Sequence, residues 1–242
     1  MLLAKSKSFM KKINSLIVPA TKPYFFQKDK EKILRKFSEI LSGKSFLSMG
    51  KYGEKFEKNF AKYIGTKYAV ACNSGTSALE LICRALNLNN KEVIVPSNTF
   101  IASVNAIMNS GAKPVFADCG NDMCLDLKSI KKKITKKTAA IMIVHIGGII
   151  TDEINVIRKF CNKKKIYLIE DAAQSHGSTF NSKKAGSFGI AAGFSFFSTK
   201  VMTTGEGGIV TTNNKSLVKK MRSMREFGKE KKGIFINYHT SI

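Results

Sequence analysis

Apolar and polar residues alternate along the chain in blocks that predict strands and helices in turn. Short apolar runs typical of buried strands are KYAVAC, EVIVPS, KPVFADC, AAIMIVHI and IYLIEDAA. Apolar residues at helical spacing occur between them, in SGTSALELICRAL, TFIASVNAIMNSG, DLKSIKKKIT and DEINVIRKFCNKKK. Because the strands are continuous apolar runs, helices should cover both faces of a mostly parallel sheet. The pattern predicts an α/β fold class with ligands at the carboxyl ends of the strands.

The pattern changes after Asp171. Two short β segments, AGFSFFS and GGIVTT, precede a basic helix predicted over residues 214–227. At the other end of the chain, residues 1–25 are interpreted as a tail and KILRKFSEIL as a first surface helix. We therefore expect an N-terminal tail over residues 1–25 and one domain over residues 26–242.

The composition of the 242 residues is that of a folded protein with reduced cysteines. Hydrophobic residues make up 43% of the chain, without low-complexity repeats, which argues against disorder. The longest apolar run, AAIMIVHIGGII, is short for a bilayer span, and the first residues lack the continuous apolar stretch of a signal peptide. The five cysteines form no CxxC pair and no regular framework. We expect a cytoplasmic protein with no membrane partner.

The formal net charge of +24 raises the question of a nucleic-acid partner. The clusters LKSIKKKITKKT, RKFCNKKK and KKMRSMREFGKEKK contain no regular series of aromatic residues and are typical of solvated helix and loop faces. We expect no nucleic-acid partner, and a nucleic-acid-binding protein stays open as an alternative that only the charge favours. A positive field would also suit an anionic small substrate.

Two segments at predicted strand ends carry candidate chemistry. In NSGTSA a strand gives way to a helix, so Gly75 allows close backbone approach and Thr76 offers an amide and a hydroxyl to a phosphate. In LIEDAAQSHG, Glu170 and Asp171 end a very apolar strand, where a buried carboxylate needs a cation or strong donors. Taken singly, an ordinary helix cap and a structural ion pair are the simpler interpretations.

The third candidate is Lys200, between the apolar run GFSFFS and a glycine-rich turn. In that setting its ammonium should be poorly solvated and its pKa lowered, which frees an amine for Schiff-base formation. A lone lysine here is more simply a snorkelling side chain. Together, however, a phosphate seat, an acid and a sheltered lysine are the parts needed to hold pyridoxal 5'-phosphate. The three histidines are too scattered to predict a metal site.

Four motifs resemble those of the DegT/DnrJ/EryC1/StrS family of sugar aminotransferases: YAVACNSGTSALEL, EVIVPSNTFIASVNAIMNSGAKPVFAD, IEDAAQSHGSTF and FSFFSTKVMTTGEGGIVTTN. The resemblance runs from about Phe46 to the last residue. It implies the large domain of a fold-type I enzyme that depends on pyridoxal phosphate, usually a homodimer with the active site between subunits. The implied reaction moves an amino group from glutamate to a nucleotide-diphospho keto-sugar, in amino-sugar or cell-surface polysaccharide biosynthesis.

The resemblance also implies roles for eight residues by motif position. Lys200 would bond to the cofactor and shuttle a proton, and Asp171 would face the pyridine nitrogen. The other cofactor-binding positions would be Gly75, Thr76 and Ser195 at the phosphate, Phe100 on the ring, Gln174 at the ring hydroxyl and Asn237, in INYHTSI, at the neighbouring subunit's phosphate.

The chain also departs from the family pattern. A related branch has histidine in place of the lysine and removes a sugar hydroxyl, so Lys200 favours transamination. Phe197, Ser198, Phe227 and His239 replace residues that are common in the family, and HIGGII replaces a histidine–leucine–aromatic–glycine block on the substrate side. The resemblance implies that family members continue into a smaller carboxyl-terminal domain, and we expect the chain of 242 residues to be a truncated member without it. A truncated non-catalytic remnant, or one half of a split aminotransferase, therefore stays open as an alternative.

Overall fold

The computed structural model describes residues 23–231 and 234–235, with the side chains of residues 23–229. The chain divides into two compact units, residues 1–37 and 38–242. Helix α1, Gln27–Glu39, makes up most of the described part of the first unit and ends in the second, and it buries none of its residues. The tail predicted over residues 1–25 lies almost wholly outside the described residues.

The second unit alternates strands and helices in the predicted order. Its helices are α2 (Lys51–Ile64), α3 (Gly75–Ala85), α4 (Ile101–Asn109), α5 (Leu127–Lys133), α6 (Ile154–Lys164) and α7 (Lys215–Arg225). Its strands are β1 (Tyr68–Cys72), β2 (Glu92–Pro96), β3 (Lys113–Ala117), β4 (Thr138–Val144), β5 (Tyr167–Asp171), β6 (Thr179–Phe180), β7 (Lys183–Lys184), β8 (Ala191–Ser195), β9 (Gly208–Thr212), β10 (Lys229–Lys231) and β11 (Ile234–Phe235). Short π and 3-10 turns occupy Ile40–Lys44 and Ile146–Gly148.

Seven strands form one mostly parallel sheet in the order β1-β9-β8-β5-β4-β2-β3. Strand β9 alone runs antiparallel to its neighbours and lies between β1 and β8. The remaining described strands form two separate pairs, β6 with β7 and β10 with β11. The mostly parallel α/β sheet predicted from the apolar runs is therefore confirmed.

Helices cover both faces of the sheet, as the unalternated strands require. Apolar residues of α3 and α7 pack on Val70, Ile169 and Val210, together with α4; this side is called the α3 face. Apolar residues of α2, α5 and α6 pack on the opposite side, in two clusters that include Leu168 and Phe194; this side is called the α6 face. Adjacent residues of β5 therefore point into different clusters.

Local sequence explains where the helices begin. The Ser74 hydroxyl caps α3 by accepting a hydrogen bond from the Ser77 amide at 3.1 Å. Asp126 caps α5, and Asn214 caps α7 through the amides of two residues in its first turn. The capping side chains are of the types that satisfy first-turn amides, which matches the predicted strand-to-helix transitions.

Helix α2 was not predicted. Its segment, KYGEKFEKNFAKYI, is rich in charged residues, but Phe60, Ala61 and Ile64 are buried against the α6 face. A spacing of three to four residues between these apolar positions is the signal that indicates an amphipathic helix. Within the described residues, no helix is both long and apolar enough to cross a membrane.

Candidate active site

The carboxyl ends of β4, β5 and β8 lie side by side at one edge of the sheet. The register pairs Val144 with Asp171 and Asp171 with Gly193. A cavity of about 400 Å³ opens at this edge, a volume within the usual range for small-molecule sites. Seven of the eight predicted site residues line this cavity: Gly75, Thr76, Phe100, Asp171, Gln174, Ser195 and Lys200. The eighth, Asn237, lies outside the described residues.

The first turn of α3 provides one wall of the cavity. Its earliest N–H groups, those of Gly75 and Thr76, have no partner inside the helix, because a helix leaves its first amides unpaired. A Cβ atom on residue 75 would lie 2.7 Å from the Cβ atom of Ser195, so only glycine lets α3 approach β8 this closely. The arrangement leaves unpaired amides and the Ser195 hydroxyl beside a helix amino terminus, which favours an anion.

Asp171 ends β5 with only 6% of its surface exposed. Its Oδ2 atom accepts a hydrogen bond from Ser103 Oγ at 2.6 Å, and its Oδ1 atom accepts one from the Ala173 amide at 3.1 Å. Burial raises the pKa of this carboxyl, and those two hydrogen bonds and the charges of His145 and Lys200 act against the rise. No ion pair reaches Asp171 from the described residues, so the carboxylate faces the cavity without a cation of its own.

The neighbouring carboxylate, Glu170, points to the α6 face and has a different environment. It accepts hydrogen bonds from three amides, those of Gly186 at 2.7 Å, Phe188 at 2.8 Å and Gly189 at 2.6 Å. Its Oε2 atom also lies 3.0 Å from Nε2 of the buried His145. Glu170 thus holds the loop before β8 in place, and of the two acids at the strand end only Asp171 serves the cavity.

Lys200 also lines the cavity, in the turn that follows β8. Its side chain is half-buried, and its amide donates to the carbonyl of Phe197 at 3.0 Å. Because Lys200 and Asp171 line one cavity, the amine and the acid that the sequence predicted to cooperate are brought together.

The remaining cavity residues differ in how much of their bonding capacity is already used. Gln174 Oε1 accepts a hydrogen bond from the Gly147 amide at 2.7 Å, which leaves its NH₂ group available to donate. Phe100, at the start of α4, is 69% exposed at the mouth of the cavity. An exposed aromatic ring beside a polar cavity is available to stack on a planar ligand.

Sequence analysis missed Ser103, Thr99 and His145. Thr99 and His145 line the cavity, whereas Ser103 lies fully buried behind Asp171. The HIGGII block was expected to bear on the substrate side, which stays a prediction; its histidine lines the cavity and pairs with Glu170. Ser103 follows Ala102 and precedes Val104, and a small hydroxyl between apolar residues in the first turn of a helix is the signal that indicates an inward-facing donor at residue 103.

A larger groove of about 1200 Å³ lies beside α2, β1 and α7. Its main charges satisfy one another, since Glu57 accepts from Arg222 at 2.8 Å and from Arg225 at 2.6 Å. Among the described residues, no group of histidine, cysteine or acidic side chains could hold a metal ion. The cavity at the carboxyl edge is therefore the better candidate for chemistry.

The comparison with family sequence models gives one family for nearly the whole described region. The model of the DegT/DnrJ/EryC1/StrS aminotransferase family matches residues 27–241. That range contains the cavity and every residue that lines it.

Two curated relatives are similar to the chain in sequence. The GDP-perosamine synthase of Caulobacter vibrioides is 46% identical over 185 residues, which are 75% of this chain and 49% of the relative. The dTDP-3-amino-3,6-dideoxy-alpha-D-galactopyranose transaminase of Aneurinibacillus thermoaerophilus is 44% identical over 184 residues, 74% of this chain and 50% of the relative. The chain spans about half the length of these curated relatives.

A solved structure has the same fold. NtdA of Bacillus subtilis, solved with bound cofactor PMP, superposes with a TM-score of 0.80 at 33% identity, over 92% of this chain and 53% of its own.

Proposed function

We propose, because the chain belongs to the DegT/DnrJ/EryC1/StrS aminotransferase family, that its cavity binds pyridoxal phosphate and serves the transfer of an amino group to a nucleotide-linked keto-sugar. The observation that carries the proposal is that a phosphate seat, a buried carboxylate and an amine surround one cavity of about 400 Å³. The relatives' names contain two different nucleotides, GDP and dTDP. They support the class of substrate and no particular base.

The phosphate seat fits an anion for a steric and an electrostatic reason. The missing Cβ of Gly75 keeps α3 within van der Waals contact of Ser195 and leaves the first-turn amides facing the cavity. A helix amino terminus stabilises a negative charge by roughly 0.3–1 kcal/mol at exposed sites and more when partly buried. Gly75, Thr76 and Ser195 would therefore hold the phosphate.

Asp171 fits a cationic ring nitrogen. A carboxylate that is taken out of water and left without a cation is costly, and a protonated pyridine nitrogen would relieve that cost. Asp171 would in return keep the proton on the nitrogen, since an opposite charge within a few ångströms favours the protonated form.

Lys200, which lines the same cavity, would supply the base. When bound, the cofactor supplies a conjugated ring that accepts the electron pair of the bond broken at the donor's α-carbon. Lys200 Nζ would take the proton from that carbon and hold it for return, as a general acid–base group. Phe100, exposed at the mouth, would cover one face of the ring and exclude water.

We further propose glutamate as the amino donor, a homodimer as the working assembly, a cytoplasmic location and a role in amino-sugar or polysaccharide biosynthesis. In the dimer, Asn237 would contact the cofactor phosphate bound to the neighbouring subunit. These parts of the proposal rest on family membership.

An absorbance titration with pyridoxal phosphate tests the cofactor proposal. The chain should develop a visible band, and borohydride reduction followed by peptide mass analysis should find a pyridoxyl group on Lys200. Lys200→Ala should lose both signals, whereas Lys128→Ala, which changes an exposed lysine on α5, should keep them. Identical featureless spectra for the wild type and Lys200→Ala would remove the enzyme proposal.

Mass spectrometry then tests the reaction. The loaded protein is incubated with glutamate and with GDP-, UDP- or dTDP-linked keto-sugars, and an amino-sugar nucleotide should form with one of them. Cofactor binding without any such product would favour the alternative in which the chain binds cofactor and does not turn over.

A further inference from the structure

We propose that Ser103 and Thr99 form a hydroxyl chain that holds the carboxylate of Asp171 in its orientation toward the cavity. Ser103 is a positioning residue, because it contacts Asp171 and does not itself line the cavity. The inference rests on the proposed function as far as the cofactor is concerned, but its structural part concerns residues of this chain alone.

The chain of hydroxyls is short and continuous, with Ser103 buried and Thr99 partly buried. Thr99 Oγ1 lies 2.7 Å from Ser103 Oγ, and Ser103 Oγ donates to Asp171 Oδ2 at 2.6 Å. Because the Ser103 hydroxyl donates its one proton to Asp171, the 2.7 Å contact requires Thr99 to donate to Ser103, while the Phe100 carbonyl, 3.3 Å from Thr99 Oγ1, is the more distant acceptor for the same proton. Each hydroxyl therefore has a defined direction, and the polarity of the chain points toward the carboxylate.

The start of α4 places these hydroxyls where they are needed. Thr99 precedes the N-cap residue Phe100, Ser103 lies in the first turn of the helix, and their hydroxyls meet at 2.7 Å. The same turn presents Phe100 at the mouth of the cavity, and Thr99 lines the cavity. One helix start therefore supplies both an exposed aromatic ring and the buried support for the acid.

The charge of Asp171 needs this support. Burial raises the pKa of the Asp171 carboxyl, and the Ser103 hydrogen bond is the largest of the effects that lower it. The Ala173 amide donates to the other carboxylate oxygen, so removal of Ser103 would leave Oδ2 without a donor from the described residues. A hydrogen bond to a charged group contributes about two to three times as much as one between neutral groups.

Four single variants separate positioning from simple packing. Ser103→Ala removes the donor, Ser103→Thr keeps a hydroxyl, and Thr99→Val removes the second hydroxyl at nearly constant volume. Ser110→Ala is the matched control, because Ser110 is also buried at α4 and its hydroxyl bonds to the Ile107 carbonyl instead of Asp171. Each variant is combined with Asp171→Asn.

The first readout is the affinity of the full chain for pyridoxal phosphate. Ser103→Ala should weaken binding about tenfold or more, as expected for a lost hydrogen bond to a charged group. Thr99→Val should weaken binding less, and Ser103→Thr and Ser110→Ala should stay within about threefold of the wild type. In the Asp171→Asn background the effect of Ser103→Ala should largely vanish. Equal losses in both backgrounds, or a loss as large in Ser110→Ala, would overturn the proposal.

The second readout needs no cofactor. A carboxyl whose folded pKa is raised binds more protons in the folded state, so stability falls with rising pH until that pKa is passed. The urea midpoint should stop falling at a higher pH in Ser103→Ala than in the wild type. In the Asp171→Asn background, Ser103→Ala should cause no such shift. If the wild type takes up no cofactor, the proposed function fails, and this pH profile alone decides the role of Ser103. If Ser103→Ala does not fold, the cofactor affinity and the pH dependence of the urea midpoint are measured on Thr99→Val instead.

Discussion

At the carboxyl edge of the sheet, the neighbouring carboxylates of Glu170 and Asp171 point to opposite faces and have different environments. On the α6 face, Glu170 receives three amide hydrogen bonds and a histidine, so its bonding capacity is used within the protein. On the α3 face, Asp171 receives two donors and looks into a cavity. The difference shows that a buried acid is not by itself a functional residue. What matters is whether the fold has already satisfied it.

The same contrast extends to the packing on each side. The α6 face near this edge is filled by aromatic rings, with the His176 ring 5.4 Å from Phe194 and 5.0 Å from Phe196, measured between centroids. The α3 face at the same height has Gly75 and Ser195 in contact. Large side chains close one face, and small ones leave room for a ligand on the other.

The largest expected effect on stability comes from removing the charge of Glu170, the acid whose hydrogen bonds are already made within the protein. Glu170→Gln should lower the free energy of unfolding by about 3–5 kcal/mol, because it disrupts a buried pair and turns an amide NH₂ toward backbone donors. Asp171→Asn should change the cofactor-free stability by less than about 1 kcal/mol, since burial already disfavours its charge. Urea unfolding of both variants measures the difference. Equal losses would mean that the contrast between the two acids is wrong.

An intermediate effect is expected where α3 meets β8. Gly75→Ala should cost about 1–3 kcal/mol, as overpacking usually does, and it should weaken cofactor binding by pushing the first-turn amides from the phosphate. Gly53→Ala is the control, because a Cβ at that position of α2 meets nothing within 4 Å. That variant should gain about 0.5–1 kcal/mol from helix propensity. A Gly75→Ala protein with unchanged stability and affinity would show that the close approach is unimportant.

The smallest effect on stability at neutral pH is expected for substitution of His176, among the aromatic rings of the α6 face. Among the residues that the structure describes, neither buried ring nitrogen of His176 has a partner at bonding distance. Burial lowers the pKa of His176 to about 4, with the charge of Lys200 acting in the same direction and the Ser195 backbone against it. The unfolded chain therefore binds the extra proton first, and stability should fall as the pH drops from about 6.5 to 4.

Replacement of His176 by phenylalanine tests this origin of the acid sensitivity. His176→Phe should change the free energy of unfolding by less than about 1 kcal/mol at pH 7. It should also flatten the decline in stability between pH 6.5 and 4. Thermal unfolding across that range measures the slope. If the slope of stability against pH is unchanged in His176→Phe, the group that titrates is not His176, and the aromatic rings of the α6 face have no role in acid sensitivity.

Much of this architecture could be predicted from local sequence. Continuous apolar strands predicted a parallel sheet, and residues at their carboxyl ends, such as Asp171 and Gly75, were expected to meet because parallel strands end at one edge. Lys200 was placed near them for the same reason. These predictions succeed because the periodicity and the strand ends are properties of short segments.

The parts that could not be predicted depend on contacts between distant segments. Glu170 and Asp171 have almost the same local sequence context, and only the position of the loop that donates to Glu170 distinguishes them. Ser103 becomes important only because α4 packs beside β5. The sequence of β9 does not indicate that this strand lies between β1 and β8 and runs antiparallel to them, since a short buried strand has the same apolar pattern in either direction.

The position of β9 also determines when the cavity can form during synthesis. Strand β1 is an edge strand that pairs only with β9 within the described sheet, although about 140 residues separate them in the chain. Since closing so long a loop is slow relative to local folding, β1, the strand that leads into α3, cannot pair with the sheet until residue 212 has left the ribosome.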